Sequence, residues 1–202
     1  IAAALSLPLL IAGCATPAPV VDPAVVRILA PSGTLRVGVY PGSPTSLVVN
    51  PKTGERAGVA LELGQLLGNR IGVPVQVVEV GRLPLVLEAL KAGAVEFTFT
   101  NATEARAKDM VFTPPLIRLE LGYLVPPGSS ITAVADVDAR AHRVGVTEGS
   151  SSQGVLTRTY QRAVVVPVAS IKVGQEMLRQ RQLDAFATNK GILFEMSDEL
   201  PG

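Results

Sequence analysis

The 202-residue sequence contains one cysteine, one histidine and no tryptophan. A single Cys excludes an internal disulfide. The single His, His142, opens an apolar run, which argues against a metal site built on histidine. Aromatic residues make up only 4% of the chain, and a net charge of +1 comes without any run of Lys or Arg. With neither a phosphate-tracking stripe nor a base-stacking surface, nucleic acid is not an expected partner. Long apolar runs are missing too: residues 1–13, IAAALSLPLLIAG, are too few to span a bilayer and are interrupted by Pro8. What remains is a chain 48% hydrophobic and 17% charged, a composition that folds. Its length suits one large or two small domains. The chain starts at Ile1 rather than Met and stops at Pro201-Gly202 just after a helical pattern, so truncation of a longer product is expected at both ends.

The stretch at 98–115, TFTNATEARAKDMVFTPP, organises the rest. Alternating Thr and Phe over 96–100 predict a strand. Asn101-Ala102 predicts a turn. A helix is expected from Thr103, whose hydroxyl can cap free backbone N–H groups, with Arg106 in its first turn. Pro114-Pro115 stops it. A strand end, a helix N-terminus and an Arg together form an anion site, because the N–H groups, the dipole and the guanidinium fork all favour a carboxylate. The alternative is a surface helix with a solvated Arg.

In chain order, residues 1–13 read as the apolar core of a secretory signal. Ile11-Ala12-Gly13-Cys14 resembles the lipobox of bacterial lipoproteins, which implies cleavage before Cys14 and its lipidation. Residues 1–14 are therefore assigned to the signal and lipobox, and 15–32, rich in Pro and Ala, to a linker with a short helical turn over 25–29. Strands are expected over 34–40, 73–80 and 95–100, with helices over 55–71 and 84–92. Val59, Leu63, Leu66, Leu67 and Ile71 are expected to share the inward face of the first of these helices. This β-α-β-α-β order predicts a parallel sheet with ligands beyond its strand ends, where Tyr40 and residues 100–103 fall. A long strand over 116–125 follows. A second β/α series then runs through a strand from His142, a helix over 150–162, a strand over 163–168, a helix over 170–181 with Val173, Met177 and Leu178 inward, a strand over 183–187 and a helix from Asn189. No internal repeat is evident beyond this shared β/α build.

Thr103-x-x-Arg106-x-Lys108 followed by Phe112-Thr113-x-Pro115 resembles a segment of the polar amino-acid family of bacterial extracellular solute-binding proteins, which serve ABC importers. LRVGVY at 35–40, HRVGVTEGSSSQGVL at 142–156 and QLDAFATN at 182–189 resemble further parts of that family, in the same order. The resemblance implies an α/β, two-lobed fold of the periplasmic-binding-protein type, each lobe a sheet flanked by helices and the whole incomplete at the C-terminus. Lobe 1 would span 33–118 and lobe 2 119–202, truncated before the return to lobe 1. It implies that Arg106 holds a ligand carboxylate, that Asn101 and Thr103 add hydrogen bonds, and that Ser150 and Ser151 reach the same group from the other lobe. Tyr40 stands at the ligand end of the first strand. The family's usual Asp for the ligand ammonium is replaced here by Asn189, and Ser43 and Leu83 stand where aromatic residues sandwich the ligand. Glu148 is then either a solvated carboxylate or the supplier of the missing charge.

The function so implied is a lipid-anchored, extracytoplasmic substrate-binding component of an ABC importer, on the periplasmic or extracellular face. Its expected partners are a small carboxylate-bearing solute (an amino acid or related organic acid), permease subunits and, through the lipid, a membrane. No metal, cofactor or catalysis is expected. The alternatives are a sensor or interaction module of the same fold and a periplasmic dehydratase-like enzyme, which would need a general acid in the cleft.

Overall fold

A computed structural model describes residues 21–200. Cys14, the lipobox, the signal and the first part of the linker lie outside the described residues. Asp22 caps a short exposed helix, α1 (Pro23–Leu29), accepting the Ala24 N–H at 2.8 Å.

The first half is built on β1 (Leu35–Val39), whose side chains alternate into a core with Leu47, Ala60 and Leu61. It pairs in parallel with β4 (Val75–Glu79), Val37 opposite Val77. A two-stranded hairpin, β2 (Val48–Val49) and β3 (Arg56–Ala57), precedes α2 (Val59–Ile71). The helix expected from residue 55 thus starts four residues later, because Arg56 and Ala57 are spent on the hairpin. Its buried face also differs from expectation. Val59 and Leu66 are exposed, and Ala60, Leu61, Gly64, Gly68 and Ile71 face the sheet. The small residues decide this: a methyl added at Gly64 would lie 2.5 Å from a Val37 methyl, so only glycine lets the helix axis come so near β1. Helix α3 (Leu83–Lys91) follows, with Pro84 near its start.

The strand expected over 95–100 is only a single bridge, Val37 to Phe97. Backbone bonds hold the bridge, with the Glu96 N–H on the Arg36 carbonyl at 2.9 Å and the Gly38 N–H on the Phe97 carbonyl at 2.8 Å, and side chains continue the pairing on either side. The Glu96 carboxylate accepts the Arg36 N–H at 2.8 Å, and the Thr98 hydroxyl donates to the Gly38 carbonyl at 2.8 Å. The helix expected from Thr103 is one 3-10 turn, Arg106–Lys108. The strand expected over 116–125 forms only as β5 (Leu121–Leu124). Leu116 and Ile117 are exposed.

The second half is a four-stranded sheet in the order β5-β8-β6-β7. Strands β6 (Arg143–Thr147), β7 (Val164–Val168) and β8 (Ala185–Asn189) are parallel, and β5 runs antiparallel against β8. Between them come α4 (Val134–Val137), α5 (Ser151–Thr159), α6 (Ile171–Arg179) and α7 (Lys190–Asp198). Buried residues cover both faces, one core around Val144, Val146 and Leu156, the other around Phe186, Leu178 and Leu193. Val173, expected inward on α6, is exposed, and Gly174 is buried against Phe186 instead.

One relation between the halves was missed in the sequence. Arg-Val-Gly-Val occurs at 36–39 and again at 143–146, each time in a strand with neighbours on both sides. Arg36 donates to Glu96 and to the Gly93 carbonyl; Arg143 donates to Asp184 and to the Arg181 carbonyl. The same guanidinium staple ties the same pair of segments in both halves. Burial pushes the Glu96 carboxyl up, but the Arg36 hydrogen bonds outweigh it and hold the group below its usual range. The Arg143 hydrogen bond does the same for Asp184.

Candidate ligand-binding site

The carboxyl ends of the strands in both halves open onto a shared cavity of about 240 Å³. Tyr40 follows β1, Arg82 and Leu83 follow β4, and Thr100 and Asn101 follow the Phe97 bridge. From the other side come Thr147 at the end of β6, Ser170 after β7 and Asn189 at the end of β8. A strand end in such a layout is also a helix start. Ser150 and Ser151 at α5, Ser170 and Ile171 at α6, and Asn189 and Ile192 at α7 all line the cavity. First-turn N–H groups lack intrahelical partners and carry the positive end of the dipole, so this wall favours negative charge.

Arg106 enters from the 3-10 turn. The Thr103 hydroxyl accepts its N–H at 3.2 Å, which spends that side chain on the backbone. Thr103 is not among the residues that line the cavity, and its hydroxyl holds the backbone of Arg106. The guanidinium Nη1 donates to Thr100 Oγ1 at 2.7 Å and to the Asn101 carbonyl at 2.9 Å. Nη2 donates to the Gly149 carbonyl, in the opposite half, at 2.8 Å. All these acceptors are neutral, and among the described residues no carboxylate pairs with Arg106. Burial pushes its pKa down, offset in part by Tyr40. A half-buried guanidinium held in a fork without an acid partner can accept a carboxylate or another small anion.

The other expected residues fall as follows. Asn101 Nδ2 donates to Ser151 Oγ at 2.6 Å, a second contact between the halves. Ser150 caps α5, accepting the Gln153 N–H at 3.1 Å. Asn189 caps α7, accepting the Ile192 N–H at 3.1 Å on its Oδ1. Tyr40 and Leu83 line the cavity. Glu148 does not. It pairs with Arg82 across the mouth, both side chains nearly half exposed at 44% and 45%. Its charge is matched by Arg82.

Residues 35–197 match the sequence model of the bacterial extracellular solute-binding proteins, family 3. The chain belongs to this family. Solved structures share the two-lobed fold of this family 3 solute-binding protein at low identity. An ancestral amino-acid-binding protein, described as a precursor of cyclohexadienyl dehydratase, superposes with a TM-score of 0.76 at 19% identity, over 88% of this chain and 80% of that one. A Campylobacter jejuni cysteine-binding protein gives 0.73 at 23% identity, over 87% and 71%. An amino acid ABC transporter substrate-binding protein from Streptococcus pneumoniae, bound to L-arginine, gives 0.72 at 19%, over 82% and 71%. No curated protein matches by sequence.

Sequence reasoning missed several parts of the cleft of this family 3 solute-binding protein. Arg82, Thr147 and Ser170 follow strand ends, so the rule that located Tyr40 would have reached them. The Gly149 carbonyl gave no signal, because a backbone acceptor is the same atom on every residue.

Proposed function

We propose that this chain is the lipid-anchored, extracytoplasmic substrate-binding component of an ABC importer, and that it captures a small carboxylate-bearing solute between its lobes. Residues 33–118 are taken as the first lobe and 119–202 as the second. The observation that carries the reading is Arg106, a half-buried guanidinium with neutral partners only, tied to both lobes. In this reading Arg106 grips the carboxylate, and Asn101, Ser150 and Ser151 add hydrogen bonds around it. Tyr40 and Leu83 wall the ligand, Asn189 meets its far side, Thr103 orients Arg106, and Glu148 helps close the mouth with Arg82. Family membership and the Streptococcus pneumoniae relative, named as a transporter's substrate-binding protein, support transport. Permease subunits would then recognise the closed form.

An enzyme on this fold needs a proton donor or acceptor in the cleft. Among the described residues no Asp, Glu or His lines the cavity, and this favours binding without turnover. The anchor rests on Cys14 in Ile11-Ala12-Gly13-Cys14. Cys14→Ser is expected to release the protein from membranes in cells, and wild-type protein already soluble after signal cleavage would refute the anchor. Carboxylate capture is tested by thermal shift of the full chain against a panel of small carboxylates, since a ligand of the folded state raises Tm. At least one is expected to raise Tm in wild type and not in Arg106→Ala. An equal shift in both would reject the site.

A further inference from the structure

Four of the polar side chains that line this cavity already accept an N–H, and that commitment has a sign. Thr100 Oγ1 accepts from Arg106, Ser150 Oγ from the Gln153 N–H, and Ser151 Oγ from Asn101. A hydroxyl that accepts an N–H keeps its own hydrogen to give. Asn189 Oδ1 accepts the Ile192 N–H, which leaves its NH2 to donate. The first-turn N–H groups of α5 and α7 point the same way. Among the described residues the cavity's ionisable lining is Tyr40, Arg82 and Arg106, with no carboxylate and no His. Glu148 and Glu120, each one residue along the chain from a lining residue, are outside the lining and matched by Arg82 and Lys190. The remaining wall is aliphatic and aromatic: Leu83, Phe99, Leu121, Val155, Ile171 and Ile192.

A cavity of donors and cations, with apolar residues on its other side, suits a molecule that offers acceptors only at one end and hydrocarbon at the other. An α-amino acid fails on one count. Its ammonium would be enclosed beside guanidinium groups with no carboxylate to meet it, and a buried unpaired charge is strongly disfavoured. We propose that the site selects a 2-oxo monocarboxylate with an aliphatic body over the matching amino acid. Arg106 takes the carboxylate, the donor groups of Ser150, Ser151 and Asn189 serve the carboxylate and the 2-oxo oxygen, and the aliphatic wall covers the chain. A volume of about 240 Å³ fits a metabolite of this size and is below the range of about 300–1,000 Å³ typical for drug-sized ligands. This inference rests on the carboxylate-capture reading above and narrows it.

The test is calorimetric titration of the full chain with chain-matched pairs: pyruvate and L-alanine, 2-oxopentanoate and L-norvaline, 4-methyl-2-oxopentanoate and L-leucine. The oxo acid of at least one pair is expected to bind about tenfold tighter or more than its amino acid, the factor that one charge-assisted contact commands. Asn189→Asp supplies a carboxylate while keeping an α7 cap, since Asp caps as well as Asn. It is expected to reverse the order within that pair. Amino acids that bind as tightly as their oxo acids, or tighter, would overturn the selectivity and leave carboxylate capture standing. No binding by any member of any pair would overturn both for solutes of this class.

Discussion

At the scale of the residue, Arg106 is defined by what surrounds it rather than by its own type. Three of its five N–H donors go to Thr100, Asn101 and Gly149, all neutral, so its charge is positioned and two donors stay available. Truncation to Ala removes the cation and leaves two backbone carbonyls and a hydroxyl at a cleft that water can reach. Arg106→Ala is therefore expected to weaken carboxylate binding by about 1.5–3 kcal/mol, the scale of hydrogen bonds to a charged group. The ligand-free fold should change within about 0.5 kcal/mol, as for substitutions outside the core. Calorimetry for affinity and thermal unfolding for stability separate the two, and an unfolded variant would show that the residue holds the lobes rather than the ligand. Arg106 was legible because Thr-x-x-Arg after a strand end is a local pattern. The Arg82–Glu148 pair was not, because its partners are 66 residues apart and only the fold brings them together.

At the scale of the element, helices were legible from apolar period and capping residues, and their faces were less so. Period counting gives weight to large side chains, so it turned Val59 and Leu66 of α2 inward, although both are exposed. The true face is set by absence of bulk at Gly64 and Gly68, where the sheet comes close. The strand over 95–100 was overread for a related reason. Alternation shows which way side chains point, but not that the backbone ladder stops at the Phe97 bridge and that Glu96 and Thr98 side chains bond the next positions. A pair of variants tests the reading of the helices. Gly64→Ala puts a methyl 2.5 Å from a buried Val37 methyl and is expected to destabilise by about 1–3 kcal/mol, the usual cost of overpacking. Gly154→Ala, on α5, meets nothing nearer than the Arg158 guanidinium at 3.5 Å and is expected to stabilise by about 0.5–1 kcal/mol through helix propensity. Chemical denaturation reads both. Equal effects at the two sites would mean that α2 does not lie against β1 as described.

At the scale of the molecule, two sheets built around the same Arg-Val-Gly-Val strand and stapled by the same Arg-to-acid bond face each other across the cavity. The contacts between them are few: Arg106 to the Gly149 carbonyl, Asn101 to Ser151, Arg82 to Glu148, and the backbone of Gly149 against Pro84. All four gather on residues 148–151, the loop after β6 and the first residue of α5, so that segment is where the lobes meet. Gly149 has φ +71°, and a methyl there would lie 2.7 Å from Pro84 Cγ. Ala at 149 would therefore act as a wedge between the lobes, and hinge closure around a ligand would be blocked. Backbone strain also enters, of order 1–2 kcal/mol for a non-glycine residue in the left-handed region. Gly33 supplies the control, with φ +79° and nothing within 4 Å of an added methyl. Gly33→Ala should share the strain and leave closure intact. Small-angle scattering with and without a bound carboxylate is expected to show compaction on binding in wild type and Gly33→Ala. Gly149→Ala is expected to keep the open radius and to bind more weakly. Normal compaction in Gly149→Ala would mean that the lobes close elsewhere, and that the loop at 148–151 is not the seam through which ligand and closure are coupled.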